Sequence, residues 1–418
     1  TVEKQTKTAY YRDVFLNLPS YLIITTNIMK QSACSRRKFL SAGSVLAAST
    51  IAASASVNTG PAAFSGSTEM LNVRDFGARG DGRTDETAAI QKALDSAGST
   101  HGAVMIPEGN YHCSELKVPE GIGIYGMPAW SYRKGMGTIL TFTGGGKCLI
   151  NLTGAFGAYL FGLCLNGNNI EGEIHGILID KPDYGKQEDT PRIDTCRVEN
   201  FSGDGIRLER IWCFCVRHSH CFHNKGCGLR VRGWDGFILD NWFSGNGKAG
   251  YASYDENASN TMTGNRIEWN REGGIVICGG SHYNITGNYI DRSGRCGIAL
   301  LPGPNQRSCE TITVTGNVIY RSGKPEWGKQ DDYDSSHVRL ESVKGLVFTG
   351  NALNSGRDDG GQGSYSPDDG IVMKKLESSV IKDNVQHNGA IRELMVDLGD
   401  HGEGVIIKDN VGSIREIT

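Results

Sequence analysis

The feature that most constrains this fold is a short phrase built around asparagine, which recurs through the second half of the chain. Two neighbouring copies read MTGNRIEWNREGGIVICGG and ITGNYIDRSGRCGIALLPG. The recurring residues are Asn241, Asn265, Asn288, Asn317, Asn351, Asn384 and Asn410. Their spacings are 24, 23, 29, 34, 33 and 26 residues. A basic period near 23, lengthened by insertions, predicts a solenoid whose repeats stack on one another.

The alternation of side chains identifies the repeats as strands. Apolar residues alternate in GIVI, GIAL, HVRL and GIVM, and the chain has 57 glycines against 11 prolines. Short alternating strands with glycine and asparagine at the corners are typical of a parallel β-helix, in which coils stack about 4.8 Å apart. We therefore expect the recurring asparagine to turn inward at a bend and hydrogen-bond to the backbone.

The segment upstream of the repeats resembles a known superfamily. NVRDFGARGDGRTDETAAIQKALD and GAVMIPEGNYHCSELKV resemble the N-terminal part of the pectate-lyase-like superfamily, which includes rhamnogalacturonases. The resemblance implies, for residues 69–418, an all-β, right-handed, single-stranded parallel β-helix that acts on polysaccharide. A helix over residues 85–97, with Thr84 or Asp85 as its cap, is expected to close the open end of the solenoid. Its predicted apolar stripe comprises Ala89, Ile90, Ala93, Leu94 and Ala97.

The N-terminal region resembles a bacterial twin-arginine export signal. Arg36 and Arg37 precede a weakly apolar run rich in alanine, serine and valine. We expect residues 29–68 to be the signal peptide and a linker, and residues 1–28 to be a mis-extended reading frame. The predicted partner is the twin-arginine export machinery, and the predicted location is the periplasm or the exterior.

Composition and charge argue against several other classes. The formal net charge of −3 indicates no nucleic-acid partner, and a hydrophobic fraction of 38% predicts no membrane association after the signal is removed. The twelve cysteines are expected to be mostly free interior thiols, because twin-arginine cargo folds in the reducing cytoplasm. CFCVRHSHCFHNKGC, residues 213–227, matches no standard zinc spacing. We expect His218 at the asparagine position, His220 in the interior, and no metal site.

The outward face of the strands that follow the Gly-Ile steps is the predicted substrate groove. Related enzymes of this fold bind a glycan along one such face. Two aspartate-rich insertions, RSGKPEWGKQDDYDSSHVRL and SGRDDGGQGSYSPDDGIVM, are expected to form its walls. The predicted substrate-binding residues are Arg339, Lys374, His337, Trp327, Tyr333 and Tyr365.

Two sets of acids compete for the catalytic role. SPDDGIVM resembles the GDD motif of polygalacturonases, which would place Asp368 and Asp369 at the groove floor, with Asp334 from the preceding coil. The family's NTD, GHG and RIK motifs have no counterpart here. Solvated acidic turns and a calcium site are the alternatives for these loops. The second pair is Glu268 and Asp291, one coil apart and about 5–6 Å from each other, with no insertion expected to shelter them.

These features predict an exported carbohydrate-active enzyme. The first interpretation is a glycoside hydrolase that acts on an acidic, pectin-like polysaccharide and needs no cofactor. One alternative is a polysaccharide lyase acting on a uronate, with Lys374, Arg339 or His337 as the base and Ca²⁺ as its cofactor. The other alternative is a non-catalytic glycan-binding module.

Overall fold

The computed structural model describes residues 70–128, 136–327 and 331–417. The predicted export signal lies outside these residues. The described strands, in chain order, are β1 (Met70–Asn72), β2 (Asp81–Asp85), β3 (Ala103–Met105), β4 (Gly109–Cys113), β5 (Leu116–Lys117), β6 (Gly123–Tyr125), β7 (Thr138–Phe142), β8 (Cys148–Asn151), β9 (Tyr159–Phe161), β10 (Leu163–Asn166), β11 (His175–Asp180), β12 (Arg192–Asp194), β13 (Arg197–Glu199), β14 (Ile206–Arg217), β15 (His220–Phe222), β16 (Leu229–Leu239), β17 (Trp242–Ser244), β18 (Tyr251–Ser253), β19 (Asn257–Ala258), β20 (Thr261–Thr263), β21 (Arg266–Glu268), β22 (Ile275–Cys278), β23 (Ser281–Thr286), β24 (Tyr289–Asp291), β25 (Ile298–Leu301), β26 (Cys309–Thr315), β27 (Val318–Tyr320), β28 (Ser336–Thr349), β29 (Ala352–Asn354), β30 (Asp369–Glu377), β31 (Val380–Lys382), β32 (Val385–Ala390), β33 (Glu393–Asp397), β34 (Ile406–Lys408) and β35 (Val411–Ile414). The helices are α1 (Thr87–Gly98) and four short 3₁₀ turns, at Val73–Phe76, Pro304–Gln306, Pro325–Trp327 and Asp359–Gly361.

Each coil of the central region contributes three strand segments. One coil runs through β22, β23 and β24, and these pair in parallel with β25, β26 and β27 of the next coil. Two of the three sides belong to a 22-stranded sheet and the third to a 13-stranded sheet, formed by β2, β4, β7, β10, β13, β15, β17, β21, β24, β27, β29, β32 and β35. The all-β prediction with parallel, coil-on-coil pairing is confirmed, while the handedness stays a prediction.

The recurring asparagine forms the predicted ladder at the corner before the 13-stranded sheet. Asn288 Oδ1 accepts from the backbone N–H of Asn265 at 3.0 Å and from Asn265 Nδ2 at 2.8 Å. Asn288 Nδ2 donates to the Met262 carbonyl at 3.0 Å. The same bonds link the other rungs from Asn241 to Asn410.

A second ladder lies at the corner after the 13-stranded sheet and was not predicted. Asn246 Oδ1 accepts from the backbone N–H of Asn224 at 3.3 Å, and Asn270 Oδ1 accepts from that of Asn246 at 3.1 Å. The signal for it was the 24-residue spacing of Asn246 and Asn270. Together, the two ladders satisfy backbone groups that the turns would otherwise leave unpaired in the interior.

Apolar side chains fill the interior of the coils in vertical columns. Ile275, Ile298, Val338 and Ile371 occupy equivalent positions in successive coils, and each is 0% exposed. Burying a side chain of this size stabilises the fold by about 1.5–3 kcal/mol.

The helix α1 covers apolar surface near the first strands. It begins at Thr87, two residues later than predicted, and the Asp85 carboxylate accepts from the Thr87 N–H at 3.0 Å. It packs against β1, β3 and β5. Four residues of the predicted stripe are fully buried, namely Ile90, Ala93, Leu94 and Ala97.

The cysteines behave as predicted. The eleven cysteines among the described residues are free thiols, and eight of them are buried. Burial raises the pKa of Cys296 to about 11, so its thiol stays protonated at neutral pH. In the same part of the chain, no helix combines the length and apolar character needed to cross a membrane.

Candidate active-site groove

The outward positions of the first strand in each coil line up as the sequence predicted. We call this surface the groove face. One column along it consists of Arg207, Arg230, Ala252, Val276, Ala299, Arg339 and Val372. Because parallel strands repeat every 4.8 Å or so, the charged members stand at regular heights along one surface.

A cavity of about 170 Å³ opens on the groove face, and we call it the central cavity. Its apolar floor includes Val276, Ala299 and Leu301. The polar side chains that line it are Tyr254, Glu272, Arg295, Asp334 and Arg339. Two carboxyl groups and two guanidinium groups therefore share one small site.

Asp334 reaches the central cavity from the insertion between β27 and β28, as predicted. It is buried, with its Oδ2 lying 3.6 Å from Arg295 Nε and its Oδ1 lying 3.6 Å from Arg339 Nη1. Arg339 also donates to Asp331 Oδ2 at 2.6 Å and to Glu341 Oε2 at 3.1 Å. Burial opposes its charge, but the hydrogen bond that it donates to Asp331 raises the pKa of Arg339. Arg339 is therefore a fixed cation and not a base.

Glu272 is the residue of this site that the sequence reasoning missed. Its backbone is fixed between coils, because its N–H donates to Lys248 O at 3.3 Å and its carbonyl accepts from the Arg295 N–H at 2.6 Å. Its side chain is half-buried. Glu272 stands three residues before Ile275, as Asp368 stands three before Ile371 in the same column. The shared offset of three residues could therefore have identified Glu272 from the sequence.

Tyr254 borders the central cavity as a protonated phenol. Burial raises the pKa of Tyr254 well above its usual range. The Arg230 guanidinium lies 5.3 Å from the centre of its ring. At neutral pH this side chain can therefore donate a hydrogen bond but cannot serve as a base.

A larger cavity, of about 460 Å³, lies further along the groove face and is lined by Glu173, His175, Asp180 and Arg207, among others. The backbone N–H of Asp204 donates to His175 Nδ1 at 2.9 Å. Burial lowers the pKa of His175, although the Asp204 carboxylate opposes this. Arg207 Nη1 lies 3.3 Å from His175 Nε2, so both ring nitrogens face donor groups.

The predicted positions of Asp369 and His337 in the groove are wrong. Both side chains are 0% exposed. Asp369 is bound by Arg392, whose Nε donates to Oδ1 at 2.9 Å. At Gly297, which aligns with His337, an added Cβ would meet the interior side chains of Ile319 and Ser322. The first residues of these strands therefore face the corner interior, before the in-and-out alternation begins.

The remaining predicted groove residues are only partly available to a ligand. Asp368 is half-buried, and its N–H donates to Ser335 Oγ at 3.0 Å. The ring of Tyr365 is already covered by Arg357, at 4.4 Å. Tyr333 and Lys374 are half-buried, and Lys374 is the register neighbour of Glu341 on the groove face. Their binding roles stay predictions.

Glu268 and Asp291 are direct neighbours on β21 and β24, as predicted. Asp291 is 1% exposed and is bound by Arg292 and Arg321, each at 2.7 Å. Burial raises the pKa of Asp291, and the Arg321 hydrogen bond opposes this effect. Asp291 is therefore locked in an interior ion-pair cluster.

Glu268 lies at a second site, in a cavity of about 540 Å³ that we call the tryptophan cavity. It is lined by His223, Trp242, Ser244, Gly245, Glu268, Trp269, Arg271 and Trp327. The expectation that no insertion shelters this region is wrong. Trp327 comes from the first insertion, and Asp359 from the second one contacts Arg292 and Arg321. Trp327 is thus placed beside Glu268 and not in the central cavity.

A family model described as "Rhamnogalacturonase A/epimerase, pectate lyase-like" matches residues 70–299. The chain belongs to this family. The match covers more than half of the chain, and it includes every strand of the groove face up to Ala299.

Individual relatives match over shorter stretches. Alginate lyase 7 of Azotobacter vinelandii is 29% identical over 185 residues, which cover 40% of this chain and 20% of the relative. A capsule-specific depolymerase of a Klebsiella phage is 22% identical over 292 residues, covering 66% of this chain and 35% of the relative. The chain thus spans about a third or less of the length of these curated relatives.

Solved structures share the fold. The A-module of the mannuronan C-5 epimerase AlgE4 of Azotobacter vinelandii superimposes with a TM-score of 0.54. The sequences are 21% identical, and the match covers 82% of this chain and 100% of the module. This likeness supports the parallel β-helix architecture within the family.

The His- and Cys-rich segment follows the ladder in a register different from the predicted one. Ser219, and not His218, takes the ladder position, because its N–H donates to Asn241 Oδ1 at 3.0 Å. The predicted register was therefore one residue off. His220 stacks between Phe222 and Trp242, at 4.2 and 4.8 Å. The described residues contain no group of three or more His, Cys, Asp or Glu side chains arranged to hold a metal.

Proposed function

We propose that the chain is a polysaccharide-acting enzyme that hydrolyses a glycosidic bond in the central cavity. The observation that carries this proposal is the pairing of Glu272 and Asp334 around one apolar floor. Glycoside hydrolysis uses two carboxyl groups beside the scissile bond, one as general acid and one as base or nucleophile. In the described residues, the central cavity supplies both within a single concave site on the groove face.

The surroundings of the two carboxyl groups suggest different roles. Asp334 faces Arg295 and Arg339, which stabilise negative charge at that position. We assign Asp334 as the base or nucleophile and Glu272 as the acid that protonates the leaving oxygen. Tyr254 donates a hydrogen bond to the sugar at the wall of the cavity.

The proposed substrate is an acidic polysaccharide. Arg230, Arg295 and Arg339 stand on the groove face or in its central cavity, and Lys374 stands one coil beyond. Guanidinium groups bind carboxylates through paired hydrogen bonds, so spaced arginines suit a chain of uronates. The names of the relatives, an alginate lyase and a capsule depolymerase, support an extended glycan as the ligand.

A lyase that eliminates across a uronate is the second candidate, favoured by the name of the alginate lyase relative. Elimination needs a base at the sugar carbon. Of the three predicted bases, His337 is interior and Arg339 is a fixed cation, so Lys374 is the one that this alternative retains. Ca²⁺ stays part of this alternative, and a binding module without turnover is the third.

The proposed site of action is outside the cytoplasm. The signal-like segment over residues 29–68 supports export through the twin-arginine machinery to the periplasm or the exterior. We also propose that α1, which packs against β1, β3 and β5, closes the first coil of a right-handed solenoid.

The products of digestion test the proposal. The purified protein is incubated with alginate, polygalacturonate and a neutral glucan. We expect new reducing ends without the ultraviolet absorbance of an unsaturated uronate. An unsaturated product in step with the reducing ends would establish the lyase, and no cleavage of any acidic glycan would favour the binding module.

A further inference from the structure

A column of residues with left-handed backbone follows the 13-stranded sheet. His223, Gly245, Trp269 and Arg292 occupy it in successive coils, with φ of 54°, 64°, 60° and 51°. Backbone bonds from His223 to Ser244, from Gly245 to Glu268 and from Trp269 to Asp291 keep them in register. Of these residues, Gly245 alone has no side chain, and the His223 ring leans over it, since an added Cβ at Gly245 would lie 2.9 Å from His223 Cδ2.

The absence of a side chain at Gly245 leaves open space on the Trp269 side of the His223 ring. The tryptophan cavity, which includes Gly245 in its lining, opens at this place.

The walls of the cavity have the chemistry of a sugar site. The rings of Trp269 and Trp327 lie 6.2 Å apart, inclined at 31°. The Arg271 guanidinium lies 4.4 Å from the centre of the Trp327 ring. Apolar ring faces beside a few fixed polar groups are typical of sites that orient a small polar ligand.

The carboxylate at the floor is held in place. Glu268 is 5% exposed, and it accepts from Trp242 Nε1 and from Arg266 Nε, each at 2.9 Å. Ser244 is its neighbour in register on β17 and has a short side chain. A fixed carboxylate next to a short side chain can accept hydrogen bonds from ring hydroxyls.

We propose that the tryptophan cavity is a non-catalytic subsite that holds one sugar ring against the rings of Trp269 and Trp327, with hydroxyls of that sugar donating to Glu268. Its lining shares no residue with that of the central cavity. The two sites adjoin nevertheless, since Arg271 and Glu272 are consecutive. One glycan chain that turns this corner can reach both. The choice of ligand rests on the proposed function, but the site itself does not.

A side chain added at Gly245, in the lining of the tryptophan cavity, tests the subsite. Gly245→Asn adds a side chain that tolerates a left-handed backbone, and the exposed His223 ring can move aside. The matched control is Gly316→Asn, because Gly316 has φ of 65° and an added Cβ there meets nothing within 4 Å. Both are made in a Glu272→Gln background so that the probe is not cleaved. Trp269→Ala in the same background is a second, independent change.

Binding of alginate and polygalacturonate oligosaccharides is followed by tryptophan fluorescence, since the cavity holds three of the six tryptophans. We expect the Gly316→Asn protein to bind, and Gly245→Asn and Trp269→Ala to bind about tenfold more weakly or not at all. Equal affinity of Gly245→Asn and its control would overturn the subsite, as would no response from any form.

The two proposals can fail separately. Turnover of the single variants Glu272→Gln and Glu268→Gln is measured in parallel. If Glu272→Gln is inactive and Gly245→Asn and Trp269→Ala lose binding, both proposals hold. If Glu272→Gln keeps full turnover while Glu268→Gln loses it, the tryptophan cavity is the reaction centre and the non-catalytic assignment is wrong.

Discussion

Replacing Asn288 with alanine should destabilise the protein strongly, although the residue lines neither the central cavity nor the tryptophan cavity. The change removes the acceptor of the Asn265 N–H and the side-chain donor to the Met262 carbonyl, both in the interior. Each buried backbone group that loses its partner costs about 1–3 kcal/mol. Two such groups give an expected loss of about 2–6 kcal/mol, a large part of the roughly 5–15 kcal/mol that stabilises a typical domain. Bonds to the neighbouring ladder asparagines are lost as well.

The assay is urea unfolding followed by circular dichroism, with Asn284→Ala as the control. Asn284 is exposed on β23, four residues away in the same coil, so its replacement should change stability by no more than about 0.5 kcal/mol. If unfolding proves irreversible, unfolding rates replace the midpoints. Equal midpoints for the two variants would refute the assignment of the asparagine ladder as a principal source of stability.

Three further predictions follow from the described contacts. Asp369→Asn should lower the unfolding midpoint, because it weakens the ion pair of a fully buried carboxylate with Arg392, while the rate of glycan cleavage falls less than tenfold. A hundredfold loss of rate in a folded variant would return Asp369 to the catalytic role. Burial lowers the pKa of His337 to about 3, whereas in the unfolded chain it is near 6.5. Below pH 6.5 the unfolded state therefore binds the extra proton, and this residue should make stability fall, by up to about 1.4 kcal/mol per pH unit, down to about pH 3. His337→Phe should flatten that slope in urea titrations at several pH values, and an unchanged slope would contradict the burial. Finally, a chelator such as EDTA should leave cleavage unchanged, and loss of cleavage that is restored by Ca²⁺ would favour the lyase.

The architecture could be predicted from the sequence because it depends on repetition. The spacing of Asn241, Asn265 and Asn288 fixes the coil length, and the in-and-out alternation of a strand then fixes the groove face. The prediction that Arg230 and Arg339 stand in one outward column was correct for this reason. The positions of the corners could be predicted from glycine and asparagine, because few other residues adopt those backbone conformations at low cost.

The site was harder to predict because it depends on corners and insertions. Alternation gives no direction for a residue at the very start of a strand, where the corner ends, so His337 and Asp369 were placed outward although both side chains are buried. The path of an insertion is not periodic, which is why Trp327 was assigned to the groove and lies instead in the tryptophan cavity. Glu272 was missed because the catalytic acids were sought in dense runs of aspartate. Glu272 is a single acid in a short coil, although it stands three residues before the first isoleucine of its strand, as Asp368 does.

The most direct test of the account is the cleavage rate of Glu272→Gln and Asp334→Asn on the acidic glycan that the wild-type protein cleaves best. Glu310→Gln is the matched control, because Glu310 is exposed on β26, on another side of the coil. With folding verified by circular dichroism, each of the two cavity variants should be slower by about 10²–10⁴-fold, and the control should match the wild type. Near-wild-type rates for both cavity variants would contradict the claim that the central cavity is where the bond is broken.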